Sequence, residues 1–263
     1  MVNDNMQETS QFVYKLQLSY KGTQYSGWQF QTQNQETVQE YVENVLKKIA
    51  KHQKIKLSGA SRTDTGVHAS GQTLKVTLPK KIDPQNLMKG MNTTLPNDIR
   101  VVSCDFTHHD LNVVLDCKSK EYHYYFTVNK NQNALVHEAV YSYPENLDIE
   151  KMKKACSFLL GKHNFFSFCN PSARLNTPYR VITDCSIEKT NFLTMEKDVY
   201  YLKIFGPGFL RYMVRYLMGA LWDIGAGKLS IEDFQLSLQT GEEHGVRTKA
   251  PARGLHLIHI EYH

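Results

Sequence analysis

Residues Phe12 to Tyr20 read FVYKLQLSY, an alternation of apolar and polar side chains that runs into Lys21-Gly22-Thr23. Period-two alternation ending at a glycine turn predicts a half-buried β-strand. Downstream, Val38, Tyr41, Val42, Val45, Leu46 and Ile49 recur at helical spacing, with Glu36, Glu40 and Glu43 early and Lys47 and Lys48 late. That charge order suits the helix macrodipole, so a helix follows the strand. Strands near Ile55 to Gly59 and Gln72 to Leu78, a helix after Asp83-Pro84 and a strand at Ile99 to Asp105 complete a β-α-β-β-α-β order.

The same order can be drawn through the second half. It has a strand at Lys120 to Val128, a helix from Asp148 to Leu160, strands near Tyr179 to Glu188 and Val199 to Phe205, a helix from Gly208 to Ile224 and a last strand from Gly254 to Tyr262. The expected class is α+β: two ferredoxin-like (RRM-like) halves, 1–107 and 108–263, whose antiparallel sheets flank a central active-site cleft. No Pro-, Gly- or Ser-rich linker separates the halves, so they are expected to pack as one body.

Composition narrows the function less than the fold. The 263 residues are 41% hydrophobic and 22% charged, as in folded globular proteins, and the net charge of +5 favours polyanions without naming one. Fifteen Tyr and 12 Phe can supply stacking faces for unpaired bases, although most such rings serve the core. The five cysteines form no C-x-x-C pair and read as reduced thiols, and the polar first residues carry no signal-peptide run; a cytoplasmic protein is expected.

The least core-like stretch is Ser58 to Gly71, SGASRTDTGVHASG, which lies between two predicted strands. Gly59 and Gly66 permit tight backbone geometry, and Asp64 is the natural chemical focus of the loop. Asp64-Thr65-Gly66 also matches an aspartic-protease triplet, but that chemistry needs a second copy and the chain has none. His108, His109 and Asp110 are adjacent on an extended segment, a poor geometry for a metal, and Gly206-Pro207-Gly208 lacks the Lys and Ser or Thr of a phosphate loop. Neither a metal nor any other cofactor is assigned.

Arg62-Thr63-Asp64-Thr65-Gly66-Val67-His68-Ala69 resembles the RTDxGVHA signature of the TruA family of tRNA pseudouridine synthases. Further segments agree in order: Tyr20-Lys21-Gly22-Thr23 with Tyr25-Ser26-Gly27-Trp28-Gln29; Lys120-Glu121-Tyr122-His123-Tyr124; His163-Asn164-Phe165 with Phe168; Gly208-Phe209-Leu210 with Met213-Val214-Arg215; and Ala250-Pro251-Ala252-Arg253-Gly254-Leu255. Two small departures are Ser61, where many members have Gly, and Thr65, where Ala or Ser is common.

The resemblance implies isomerisation of uridine to pseudouridine in the anticodon stem-loop of tRNA, at positions 38 to 40 in the bacterial branch. It makes Asp64 the catalytic carboxylate, a nucleophile that attacks the ribose or assists elimination there, Arg215 the cation that keeps it ionised, Tyr122 a ring stacking on the base, Leu255 an apolar floor under the uracil and Arg62 a participant in base flipping. It also implies a homodimer and no cofactor. A competing reading, a catalytically silent RNA-binding protein on the same fold, would have no use for the carboxylate. His68 reads as a structural hydrogen-bond partner of the loop.

Overall fold

A computed structural model describes residues 11–30, 36–170, 177–192, 196–246 and 248–263, so the polar stretch before Gln11 lies outside the described residues. Strand β1 (Phe12–Tyr20) buries Tyr14, Leu16, Leu18 and Tyr20 on one face, as its alternation requires. Helix α1 (Val38–Ile49) starts where the Thr37 hydroxyl accepts a hydrogen bond from the Glu40 amide at 3.3 Å, and it buries Val38, Val42, Val45 and Leu46. Strands β2 (Lys56–Gly59) and β3 (His68–Leu78) lead to α2 (Pro84–Thr94), capped by Asp83 with Pro84 in the first turn, and then to β4 (Ile99–Phe106).

After β5 (Cys117–Thr127) and the two-residue β6 (Tyr141–Ser142) come α3 (Ile149–Ser157), β7 (Gly161–Asn164) and β8 (Tyr179–Ile182). Then follow β9 (Asp184–Phe192), β10 (Glu196–Gly206), α4 (Met213–Gly225), α5 (Ile231–Thr240) and β11 (Leu255–Tyr262). The predicted strand Tyr179 to Glu188 is thus two strands: β8 pairs with β7 in a separate ribbon, and β9 joins the main sheet. Helix α4 begins five residues later than its apolar spacing suggests. Tyr212 before it has a left-handed φ of 66°, which a continuing helix does not tolerate.

The main sheet runs β4-β1-β3-β11-β5-β10-β9, with β2 also on β3 and β6 on β5. The α+β class is as expected, but the strands of the two halves form one sheet rather than two facing sheets. The reason lies on β3. Four-residue β2 covers only Leu74 to Thr77 of its eleven residues, and β11 takes the start of the same edge through His68–His256 and Ala69–Leu257, in parallel. Left uncovered, those backbone groups would be unpaired at an edge. Between these two partners the chain from Ala60 to Val67 leaves the sheet.

One contiguous core spans both halves. Tyr124 and Phe126 of β5 meet Trp222 of α4 edge-on, at 5.4 and 5.9 Å between ring centres. On the opposite face of the same strands, His68 stacks on His256 at 4.6 Å and Tyr125 meets His256 edge-on at 5.1 Å. All five cysteines are buried and unpaired.

Candidate active site

The segment Ala60 to Val67 is held from several sides. The hydroxyls of Tyr20 and Thr63 are 2.7 Å apart, the Trp28 amide donates to the Thr63 carbonyl at 3.1 Å, and the Gly66 amide donates to the Tyr25 carbonyl at 3.3 Å. Gln72 clamps Ser61 twice, accepting from its amide at 3.2 Å and donating to its carbonyl at 2.6 Å. Gly27 lies against the loop at φ 94°, where a Cβ would sit 2.7 Å from the Thr63 carbonyl oxygen. Gly66, at φ 79°, turns the chain back after Asp64. A loop tethered this way fixes one carboxylate position.

That carboxylate lines a cleft of about 800 Å³ at the seam between the halves, together with Arg62, Lys120, Tyr122, Phe209 and Leu255. Asp64 retains only 17% side-chain exposure, and Arg215 of α4 reaches it with Nη1 3.8 Å from Oδ2. At that distance the contact is a charge interaction rather than a hydrogen bond. Arg215 is fixed by a 2.7 Å hydrogen bond from Nε to the Ala250 carbonyl and lies over the Tyr212 ring, 5.2 Å from its centre.

Burial pushes the Asp64 carboxyl above its ordinary value, while Arg215, Arg211 and Lys249 pull it down. Desolvation is the larger influence, and Arg215, the cation expected to favour the ionised form, is the first of the groups that offset it. The carboxylate is therefore poorly hydrated yet set in a cationic field.

Tyr122 is buried beside Asp64's loop, its hydroxyl 2.8 Å from that of Ser61 and its ring edge-on to Phe209 at 5.2 Å. Burial chiefly raises its phenol, to about 12, so it stays protonated at neutral pH. Leu255 is buried at the start of β11, and Arg62 is exposed at the lip. His68 lies apart from the cleft, on the back of the sheet, where Nδ1 accepts from the Gly22 amide at 3.2 Å. Among the described residues no group of three or more His, Cys, Asp or Glu is placed to hold a metal.

The site also contains residues whose part in it the sequence does not announce. In sequence Ser61 is a small departure from the family pattern; in the structure its hydroxyl is the partner of Tyr122. Lys120 shares the Tyr122 face of β5, as residues i and i+2 must, and that spacing was the available signal. Arg211 and Lys249 approach the Tyr212 ring at 4.9 and 4.4 Å beside Arg215, and nothing in side-chain periodicity places Lys249 there.

An α+β fold that brings a half-buried, cation-flanked aspartate and a protonated tyrosine into one cleft has the parts of an enzyme active site. The sequence pattern described as tRNA pseudouridine synthase matches residues 18–114 and 155–263. The chain is 39% identical over 257 residues to "tRNA pseudouridine synthase A 2" of Desulfotalea psychrophila, covering 94% of this chain and 98% of the relative. It is 38% identical to "tRNA pseudouridine synthase A" of Phytoplasma mali, over 95% of this chain and 99% of that one. It is 33% identical to the protein of that name from Caldicellulosiruptor saccharolyticus, over 94% and 98%. The chain belongs to the tRNA pseudouridine synthase family, in its TruA branch, and is an isomerase acting on tRNA.

Proposed function

We propose that the enzyme converts uridine to pseudouridine at positions 38 to 40 of the tRNA anticodon stem-loop, with Asp64 as nucleophile acting on a flipped-out nucleotide. The observation that supports this reading best is the half-buried Asp64 carboxylate, held in a tethered loop and paired at 3.8 Å with Arg215. The reaction breaks the bond between C1′ and N1 and remakes it to C5, a step that needs a carboxylate directed at the sugar and an exclusion of water. Tyr122 and Leu255 then bound the space for the base, and exposed Arg62 holds backbone or the vacated stack position. Residues 1–107 supply the Asp64 loop, while 108–263 supply Tyr122, Arg215 and Leu255. We further assign the enzyme to the cytoplasm, as a homodimer that works without a cofactor.

Single-turnover tritium release from carbon-five-labelled uridine in tRNA, run beside a binding titration, tests the assignment. Asp64→Asn is expected to abolish release while tRNA still binds. Wild-type release by that variant would remove Asp64 from the chemistry, and pseudouridine mapped outside the anticodon stem-loop would refute the position.

A further inference from the structure

Lys120 is the cleft residue whose placement is hardest to explain as architecture. Its ammonium donates to the Ala60 carbonyl at 2.9 Å, at the entry to the Asp64 loop, which leaves two of its three N–H groups for other acceptors. It shares the Tyr122 face of β5 and lines the same cleft as Asp64. Among the described residues no carboxylate forms an ion pair with it. Burial lowers its pKa, and the neighbouring Cys117 thiol, itself pushed up by burial, is uncharged at neutral pH. A largely desolvated ammonium without a counter-ion costs stability that a methionine at the same place would not. Such a cost is offset where an anion forms in the site during reaction.

We propose that Lys120 is a further catalytic residue, whose ammonium hydrogen-bonds a carbonyl oxygen of the target uracil and stabilises the negative charge that the ring acquires as its glycosidic bond breaks. When the C1′–N1 bond cleaves, its electron pair leaves with N1 and spreads onto the two carbonyl oxygens. The Asp64 carboxylate takes the place of N1 on C1′; after the ring turns, C5 displaces that carboxylate from C1′, the proton on C5 is lost and N1 gains one, so no atom is added or removed. Lys120 remains protonated throughout; its part is electrostatic. The proposal rests on reading the cleft as the uridine site with Asp64 as nucleophile.

The test compares uridine with 5-fluorouridine at the target position of the same tRNA, in wild type, Lys120→Met, Lys120→Arg and Asp64→Asn. Single-turnover loss of the original nucleoside is followed in each case. Fluorine makes the departing uracil anion more stable, so it needs less help. Lys120→Met is expected to slow uridine turnover by about 10²-fold, the range for removing one donor to a developing anion. Its deficit on 5-fluorouridine should be roughly tenfold smaller, with tRNA affinity unchanged, and Lys120→Arg should lose less than Lys120→Met. Equal deficits on both nucleosides, or none, would overturn the proposal, since a purely structural tie to Ala60 is blind to the leaving group. Should Lys120→Met fail to fold, Lys120→Arg decides by the same ratio between substrates. Activity in Asp64→Asn would instead overturn the underlying reading. An inactive Asp64→Asn beside a fully active Lys120→Met removes Lys120 alone.

Discussion

Lowering the pH from 7 to 5 should loosen the seam between the halves, and His256 sets the size of the effect. Its ring is pressed between His68 and Tyr125 on the back of the sheet, with Nε2 2.8 Å from the Ala139 carbonyl. Burial first, then the neighbouring His68, lower its pKa to about 3, and His68 is itself lowered by burial. An unfolded histidine titrates near 6.5, so the unfolded chain takes up protons that the folded one refuses. The stabilisation is therefore complete above about pH 6.5 and declines as the pH falls toward the folded value. At pH 5 the unfolded pKa lies about 1.5 units above the solution, which costs the fold about 2 kcal/mol from His256 alone.

Urea unfolding of wild type and His256→Gln at both pH values measures this, because glutamine keeps a donor for Ala139 but does not titrate. Carboxylates and the remaining histidines titrate in both proteins and largely cancel in the difference. Wild type should lose about 2 kcal/mol more than the variant between pH 7 and pH 5. Equal losses would show that the His68–His256 stack is not the acid-sensitive element.

Three further outcomes follow from the cleft. Because burial holds the Asp64 carboxyl above its ordinary value, its ionised form weakens the fold at neutral pH and is relieved as the pH falls. Asp64→Asn should therefore melt at the wild-type temperature or above it by calorimetry at pH 7, and a marked drop would contradict the balance described. Arg215→Gln removes a cation that lowers the Asp64 pKa, so the acid limb of the single-turnover rate should move to higher pH, with partial recovery in alkali; a deficit independent of pH would mean that Arg215 acts by position alone. Gly27→Ala forces a Cβ against the Thr63 carbonyl in a left-handed conformation, and should lower turnover more than tRNA affinity, as binding and tritium release measured together would report.

Local regularities of the chain predicted local structure well. The alternation in FVYKLQLSY places Tyr14, Leu16, Leu18 and Tyr20 in the core, and Asp83-Pro84 starts the helix that follows it. Asp64 and Arg215, far apart in sequence, were paired through the family resemblance, and they meet at 3.8 Å. Failures came where one residue's backbone or a distant partner decides. The apolar spacing of Phe209 and Leu210 continues that of Met213 and Val214, yet the left-handed Tyr212 separates them, and nothing in side-chain periodicity reports a φ angle. The pairing of Ala69 with Leu257 is equally silent in sequence, since either strand edge satisfies its own alternation without naming its neighbour.

The placement of β11 has a consequence for biosynthesis. It is the last of the described strands in chain order, yet it sits in the interior of the sheet, between β3 and β5. A nascent chain can assemble β1 to β4 as it emerges, but Leu255 and the bridge from His256 to His68 are absent until the final strand has cleared the ribosome. Until then the start of β3 is an open edge and the cleft lacks a wall. Translation thus withholds the finished site until the strand that closes it has been made.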